Sequence, residues 1–184
     1  MRKLLDGIYT TALVLACASM VLIALMVLAQ ILARVLDRVL VLAGAVPLGL
    51  TVPSLSTFGG MLFVASATLA LPATLRAGGH VRVTLLTGRG GPVLRRMQAG
   101  FVLVVAIALA GFAAWHSGLQ ALDSLRFNSV SFGMIRVPLW IPQGVMTMGF
   151  GLLALALLDE LHAILRAQIP GYERAEANRS EGGH

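Results

Sequence analysis

The chain has 184 residues, 58% of them hydrophobic and only 12% charged, with a formal net charge of +6. An ordinary globular domain carries about 25% charged residues, so little of this chain is built to face water. Its basic residues flank apolar runs and do not form a stripe with interleaved aromatics, which argues against nucleic acid as a partner; the single cysteine, Cys17, excludes an intrachain disulfide and a cysteine metal cage.

Four long uncharged stretches lie between Asp6 and Arg34, Arg38 and Arg76, Arg96 and Asp123, and Arg136 and Asp159. About 20 apolar residues in a helix cross the hydrocarbon of a bilayer, and each stretch is long enough. A soluble helix would interleave polar residues at every third or fourth position, but windows such as Leu13 to Leu28 contain almost none. The expectation is an all-α integral membrane protein with four transmembrane helices at about 8–32, 57–75, 98–119 and 138–158. These make one membrane domain over 1–166, and 167–184 is a polar, flexible tail too short for a core of its own.

The first span begins behind Arg2 and Lys3. Val14-Leu15-Ala16-Cys17 loosely resembles a lipoprotein cleavage box, but the apolar run continues to Ala33, far past the length of a secretory h-region, so an uncleaved helix is expected. It can continue as helix through Arg34 and Asp37. Gly44, Pro47, Gly49 and Pro53 then break the segment 39–56 into an interfacial turn or short helix between the first two spans, or a re-entrant loop. Ser54 or Ser56 can cap the second span, and Pro72 is expected to bend its inner end. That span stops at Arg76-Ala77-Gly78-Gly79-His80, where arginine suits the negative end of the helix dipole and glycine a left-handed cap. Val81 to Leu86 suits a segment resting on headgroups, and Gly90-Gly91-Pro92 turns the chain into the third helix, pinned by Arg95 and Arg96. The fourth starts near Pro138 and ends before Asp159-Glu160.

Alternation of four spans groups Arg2, Lys3, Arg76, Arg82, Arg89, Arg95, Arg96, Arg166, Arg174 and Arg179 on one side, against Arg34, Arg38, Arg126 and Arg136 on the other. The positive-inside rule places the first group and both termini in the cytoplasm, and puts Trp115 and Trp140 at the outer interface, where amphipathic rings are favoured. Small residues recur on the helices: Ala106, Ala110 and Ala114; Ala65, Ala67 and Ala70; Gly144, Gly149 and Gly151. They let helices approach, either within this chain or against another membrane protein.

No Asp, Glu, Lys or Arg lies in the central part of any span, whereas ion-coupled carriers usually keep such groups on their pathway. Ser66, Thr68 and Gln30 are the polar candidates for contact with a transported species, but such residues are more often helix-packing or interface residues. His116 stands near the opposite face from His80 and His162, so it cannot share an iron with either; neither inner histidine has a second local ligand. No nucleophile, carboxylate pair or phosphate loop is apparent, so neither enzyme activity nor a cofactor or metal is expected.

Leu75-Arg76-Ala77-Gly78-Gly79-His80-Val81-Arg82-Val83, and later Val137-Pro138-Leu139-Trp140-Ile141-Pro142 followed by Met148-Gly149-Phe150, resemble the small membrane subunit, DctQ type, of tripartite ATP-independent periplasmic (TRAP) transporters. The resemblance covers most of the chain to about Arg166. It implies a non-catalytic scaffold in the bacterial inner membrane. Its partners would be a large multi-spanning permease subunit, which takes up an organic acid such as a dicarboxylate with sodium, and a periplasmic solute-binding protein. It also implies that His80 and Arg82 shape the inner loop, that Pro138 and Trp140 seat the last helix, and that Arg76, Gly78, Gly79, Pro142 and Gly149 are structural or partner-contact positions. Acidic residues common in the family at the start of the second helix and after the Arg-Val pair are replaced here by Pro53-Ser54-Leu55-Ser56 and by Thr84. The alternative from a different class is a membrane anchor of a respiratory enzyme binding quinone or haem.

Overall fold

The computed structural model describes residues 2–51, 53–77 and 92–165. Gly78, Gly79, His80 and Arg82, and the expected headgroup segment and tail, lie outside them. Among the described residues four helices form: α1 (Arg2–Leu42), α2 (Leu55–Arg76), α3 (Pro92–Arg126) and α4 (Trp140–Leu165). All four are long and apolar enough to cross a membrane, and the chain is a multi-pass membrane protein.

The helices stand in a row. α1 packs on α2, α2 on α4, and α4 on α3, while other pairs meet only marginally. The start of α1 and the end of α4 therefore lie at one end of the row, here called the termini end, and the described residues 43–51 and 127–139 lie at the other, the loop end. Burial follows from this order. α2 and α4 have neighbours on two sides, whereas α1 and α3 each bury one narrow stripe.

On α1 that stripe is Tyr9, Ala12, Ala16, Ser19, Ile23, Met26, Gln30, Ala33, Asp37 and Leu40, spaced alternately by three and four residues. This is a heptad seam, the pattern of two helices inclined by about 20°. Its termini-end half is small: Ala12 and Ala16 lie against Leu69, with Ala65 and Ala70 alongside. On α3, Leu103 and Ala110 meet Leu157 and Ile164 of α4. Packing of this kind holds helices together in lipid, where apolar burial alone favours neither helix nor lipid as a neighbour.

α1 continues as helix through Arg34 and Asp37, as expected, and reaches Leu42. It then closes with the Gly44 N–H donating to the Val41 carbonyl (3.1 Å), the Ala45 N–H to the Leu40 carbonyl (2.8 Å), and Gly44 at φ +76°. These bonds are a Schellman cap, so the short helix considered for 39–56 is replaced by this cap and an irregular strap. Asp37 Oδ1 holds the strap by accepting the Leu48 N–H (2.8 Å) and the Gly49 N–H (3.3 Å). Ser54 precedes α2, but its side chain does not cap it. Its φ of +54° turns the hydroxyl away from the helix, and Ser54 Oγ instead accepts the Ile135 N–H at 3.0 Å.

Candidate functional site

Several hydroxyl groups of α1 and α2 are spent locally. Thr10 donates to the Asp6 carbonyl, Thr11 to Gly7, Ser19 to Leu15 and Thr68 to Val64, each at 2.8–2.9 Å. In hydrocarbon this back-bonding satisfies a group that water would otherwise serve. Of the three residues considered for a transported species, Thr68 is buried in this way, while Ser66 and Gln30 are half-buried.

The chemistry that remains lies at helix joints, and the strongest is at the termini end. Arg76, in the last turn of α2, forks between two other helices: Nη1 donates to Asp6 of α1 and Nη2 to Asp159 Oδ2 of α4 at 2.9 Å. Its guanidinium also lies over the Tyr9 ring, 4.4 Å from the centroid. Arg76 and Asp159 are largely shielded, with side chains 23% and 28% exposed, against 57% for Asp6. A shielded, two-pronged ion pair is stronger than a surface one, and the planar fork of arginine suits two carboxylates. The helix-dipole role expected of Arg76 is therefore the lesser part of what it does. It fastens three helices.

The middle of the row is held by contact. A Cβ at Gly149 of α4 would lie 2.6 Å from Thr68 Cβ and 2.7 Å from the Thr68 carbonyl carbon. Only a residue without a side chain lets α2 and α4 cross this closely. Gly144 and Gly151, the other members of that small-residue set, face open space.

Between α3 and α4 runs a polar ladder. Thr147 Oγ1 donates to the buried Ser117 Oγ at 3.0 Å, and Gly118 sits 3.4 Å from the Thr147 methyl measured from its would-be Cβ. One turn toward the loop end, the Gln143 amide is oriented by its neighbours, donating to the Gln120 carbonyl (3.1 Å) and to Ser124 Oγ (2.6 Å). The loop 127–139 then folds as a tight antiparallel turn. Val130 bridges Pro138, the Ser131 N–H donates to the Val137 carbonyl (2.9 Å), and the Leu139 N–H to the Ser129 carbonyl (3.0 Å). Pro138 is thus the bridge residue of this turn, two positions before α4. Trp140 is the first helical residue and 43% exposed, and Pro142 falls in the first turn, where a missing N–H leaves no helical bond unmade.

His116 is exposed and its ring lies tilted against that of Phe112, centroids 4.2 Å apart, and His162 is exposed on α4. Sequence reasoning missed Asp6, Asp159, Tyr9, Ser117, Gln143 and Thr147 as joint residues. For Asp6 and Asp159 the available signal was an acid at the edge of a span on the same side as Arg76. For the hydroxyl ladder it was polar residues three to four apart on two consecutive helices.

The family described as the DctQ component of tripartite ATP-independent periplasmic transporters matches residues 23–167. The chain belongs to the DctQ family. No curated protein sequence matches it. DctQ components are small membrane subunits of TRAP transporters, so the four spans seen here are those of a transporter component. The respiratory-anchor alternative gains no support from this assignment. Of the DctQ-like motif residues, Arg76, Pro138, Trp140, Pro142 and Gly149 all lie at joints or turns of the row. In the stretch entering α2, Ser54 accepts the Ile135 N–H.

Proposed function

We propose that this DctQ chain is a non-catalytic brace in the bacterial inner membrane, with both termini in the cytoplasm. It holds the large permease subunit while that subunit takes up an organic acid, such as a dicarboxylate, together with sodium. A periplasmic binding protein delivers the acid. One membrane domain over 1–166 does the bracing, and 167–184 is a polar cytoplasmic tail. In this orientation the Arg76 joint lies at the inner face and the strap and the 127–139 loop at the outer face.

The observation that carries the reading is the open row itself. Its two flanking helices present apolar side chains outward along their length, and the described charged side chains stand at helix ends and loops. A brace needs a broad apolar flank and stiff joints. A carrier needs polar groups lining a path, and here Thr10, Thr11, Ser19 and Thr68 are turned onto their own helices, while Ser117 and Thr147 face each other across the α3–α4 contact. On the family resemblance, His80 and Arg82 would shape the inner loop.

Reconstitution tests this. Liposomes holding the chain with its large permease subunit and binding protein should accumulate the acid in a sodium-dependent way, and liposomes holding the chain alone should not. The purified chain should bind no solute at physiological concentration. Transport or solute binding by the chain alone would overturn the proposal.

A further inference from the structure

We infer that the strap between α1 and α2, with the end of α1 that leads into it, is the segment by which this chain is permanently held against the large membrane subunit; this rests on the brace reading above.

α1 outruns its neighbour. With Arg76 beside Asp6 and Tyr9, the first residue of α2 stands level with about Gln30, so α1 extends about 18 Å past it at 1.5 Å per residue. On this extension and the strap, Val35, Val39, Leu42, Val46 and Leu48 are each more than half exposed, Leu42 and Val46 by 82% and 85%. From Val39 to Leu50 no side chain carries a charge or a hydrogen-bonding group. Such a continuous apolar surface at a loop is the mark of an interaction site.

Five occupants can be compared. Water is the poorest match for this surface. Lipid is also poor, because Ala45 to Thr51 is neither helix nor strand, and irregular backbone is tolerated at hydrocarbon depth only when protein shields it. A soluble receptor that docks and leaves would uncover the strap in every cycle, and such transient interfaces are more polar than permanent ones. A second copy would meet this one through the same patch under two-fold symmetry, bringing the exposed Arg34 and Arg38, one helical turn apart, toward their own equivalents. A permanent, membrane-embedded protein with an apolar cleft and carboxylates at its rim satisfies all these features. Asp37 supports the fit by pinning the strap through Leu48 and Gly49 and so presetting its shape.

The test uses the full chain co-expressed with its large subunit, with the photo-crosslinker p-benzoylphenylalanine in place of Val46. Ultraviolet light should give an adduct with the large subunit whether or not solute and binding protein are present. Val46→Asp should reduce the large subunit recovered with the chain at least tenfold, while the chain alone inserts and unfolds like wild type. An adduct only with the binding protein and only when solute is added, an adduct with a second copy, or no protein adduct would each overturn the inference. Recovery of the large subunit with an unreactive Val46 sinks this inference alone. If the unmodified chain recovers no large subunit, the brace reading fails and this inference falls with it.

Discussion

α1 and α3 flank the same two-helix middle, yet they are fastened differently. α3 is matched to α4 along its loop-end half by the Ser117–Thr147 and Ser124–Gln143 contacts, and the tight 127–139 turn ends where α4 begins. α1 is fastened at the other end, by the Arg76 fork and the Ala12–Ala16 seam, and its loop-end portion overruns α2. α3 is therefore a helix completed inside this chain. α1 is completed only in part, and the unfinished part carries the strap.

The comparison can be broken first at the middle that both flanks share. Gly149→Leu must push α2 and α4 apart against Thr68 backbone, and overpacking of this kind should destabilise by about 3 kcal/mol, with Gly149→Ala about half as severe. Unfolding in mixed detergent micelles would measure both. An unchanged Gly149→Leu would mean that α2 and α4 do not cross there.

Next in size is the joint peculiar to α1. Arg76→Ala leaves Asp159 shielded without its partner and should lower stability by about 2 kcal/mol, between the values for exposed and buried pairs. Arg76→Lys should recover less than half of this, since an ammonium cannot fork to both carboxylates as the planar guanidinium does. Asp159→Asn should do more harm than Asp6→Asn, because Asp6 is the more exposed partner. Equal effects would show that the fork is not asymmetric.

The ladder peculiar to α3 should yield less. Thr147→Val removes one interhelical hydrogen bond and keeps the shape, for a loss of about 0.6 to 1 kcal/mol, the usual range within membranes. The smallest effect sharpens the contrast: Val46→Asp, on the overrunning strap, should leave the stability of the isolated chain within about 0.5 kcal/mol of wild type. A larger loss would mean that the strap is part of this chain's own core.

The four apolar spans and the family were legible in the sequence because lipid imposes a crude rule, long apolar runs, and because the Arg76 and Pro138 to Pro142 motifs are local. The order of the row was not legible. In a helix apolar on every side, the seam from Tyr9 to Leu40 does not stand out from the residues around it, and only neighbouring helices reveal it. Arg76 looked like a dipole partner because its two carboxylates lie 70 residues before it and 83 after it in sequence. Ser54 looked like a cap for a similar reason: its actual donor, Ile135, is 81 residues away. Gly149 was picked out with Gly144 and Gly151, and only the packing separates the one that touches α2 from the two that do not.

Cysteine pairs placed in a Cys17→Ser background test the open row most directly. In membranes, Ala16→Cys with Leu69→Cys and Ala110→Cys with Ala154→Cys should form disulfides across the α1–α2 and α3–α4 contacts, while Leu13→Cys with Leu109→Cys, one on each flank, should not. Efficient bridging of Leu13→Cys to Leu109→Cys within one chain would mean that the row closes into a four-helix bundle, leaving no open flank for a partner.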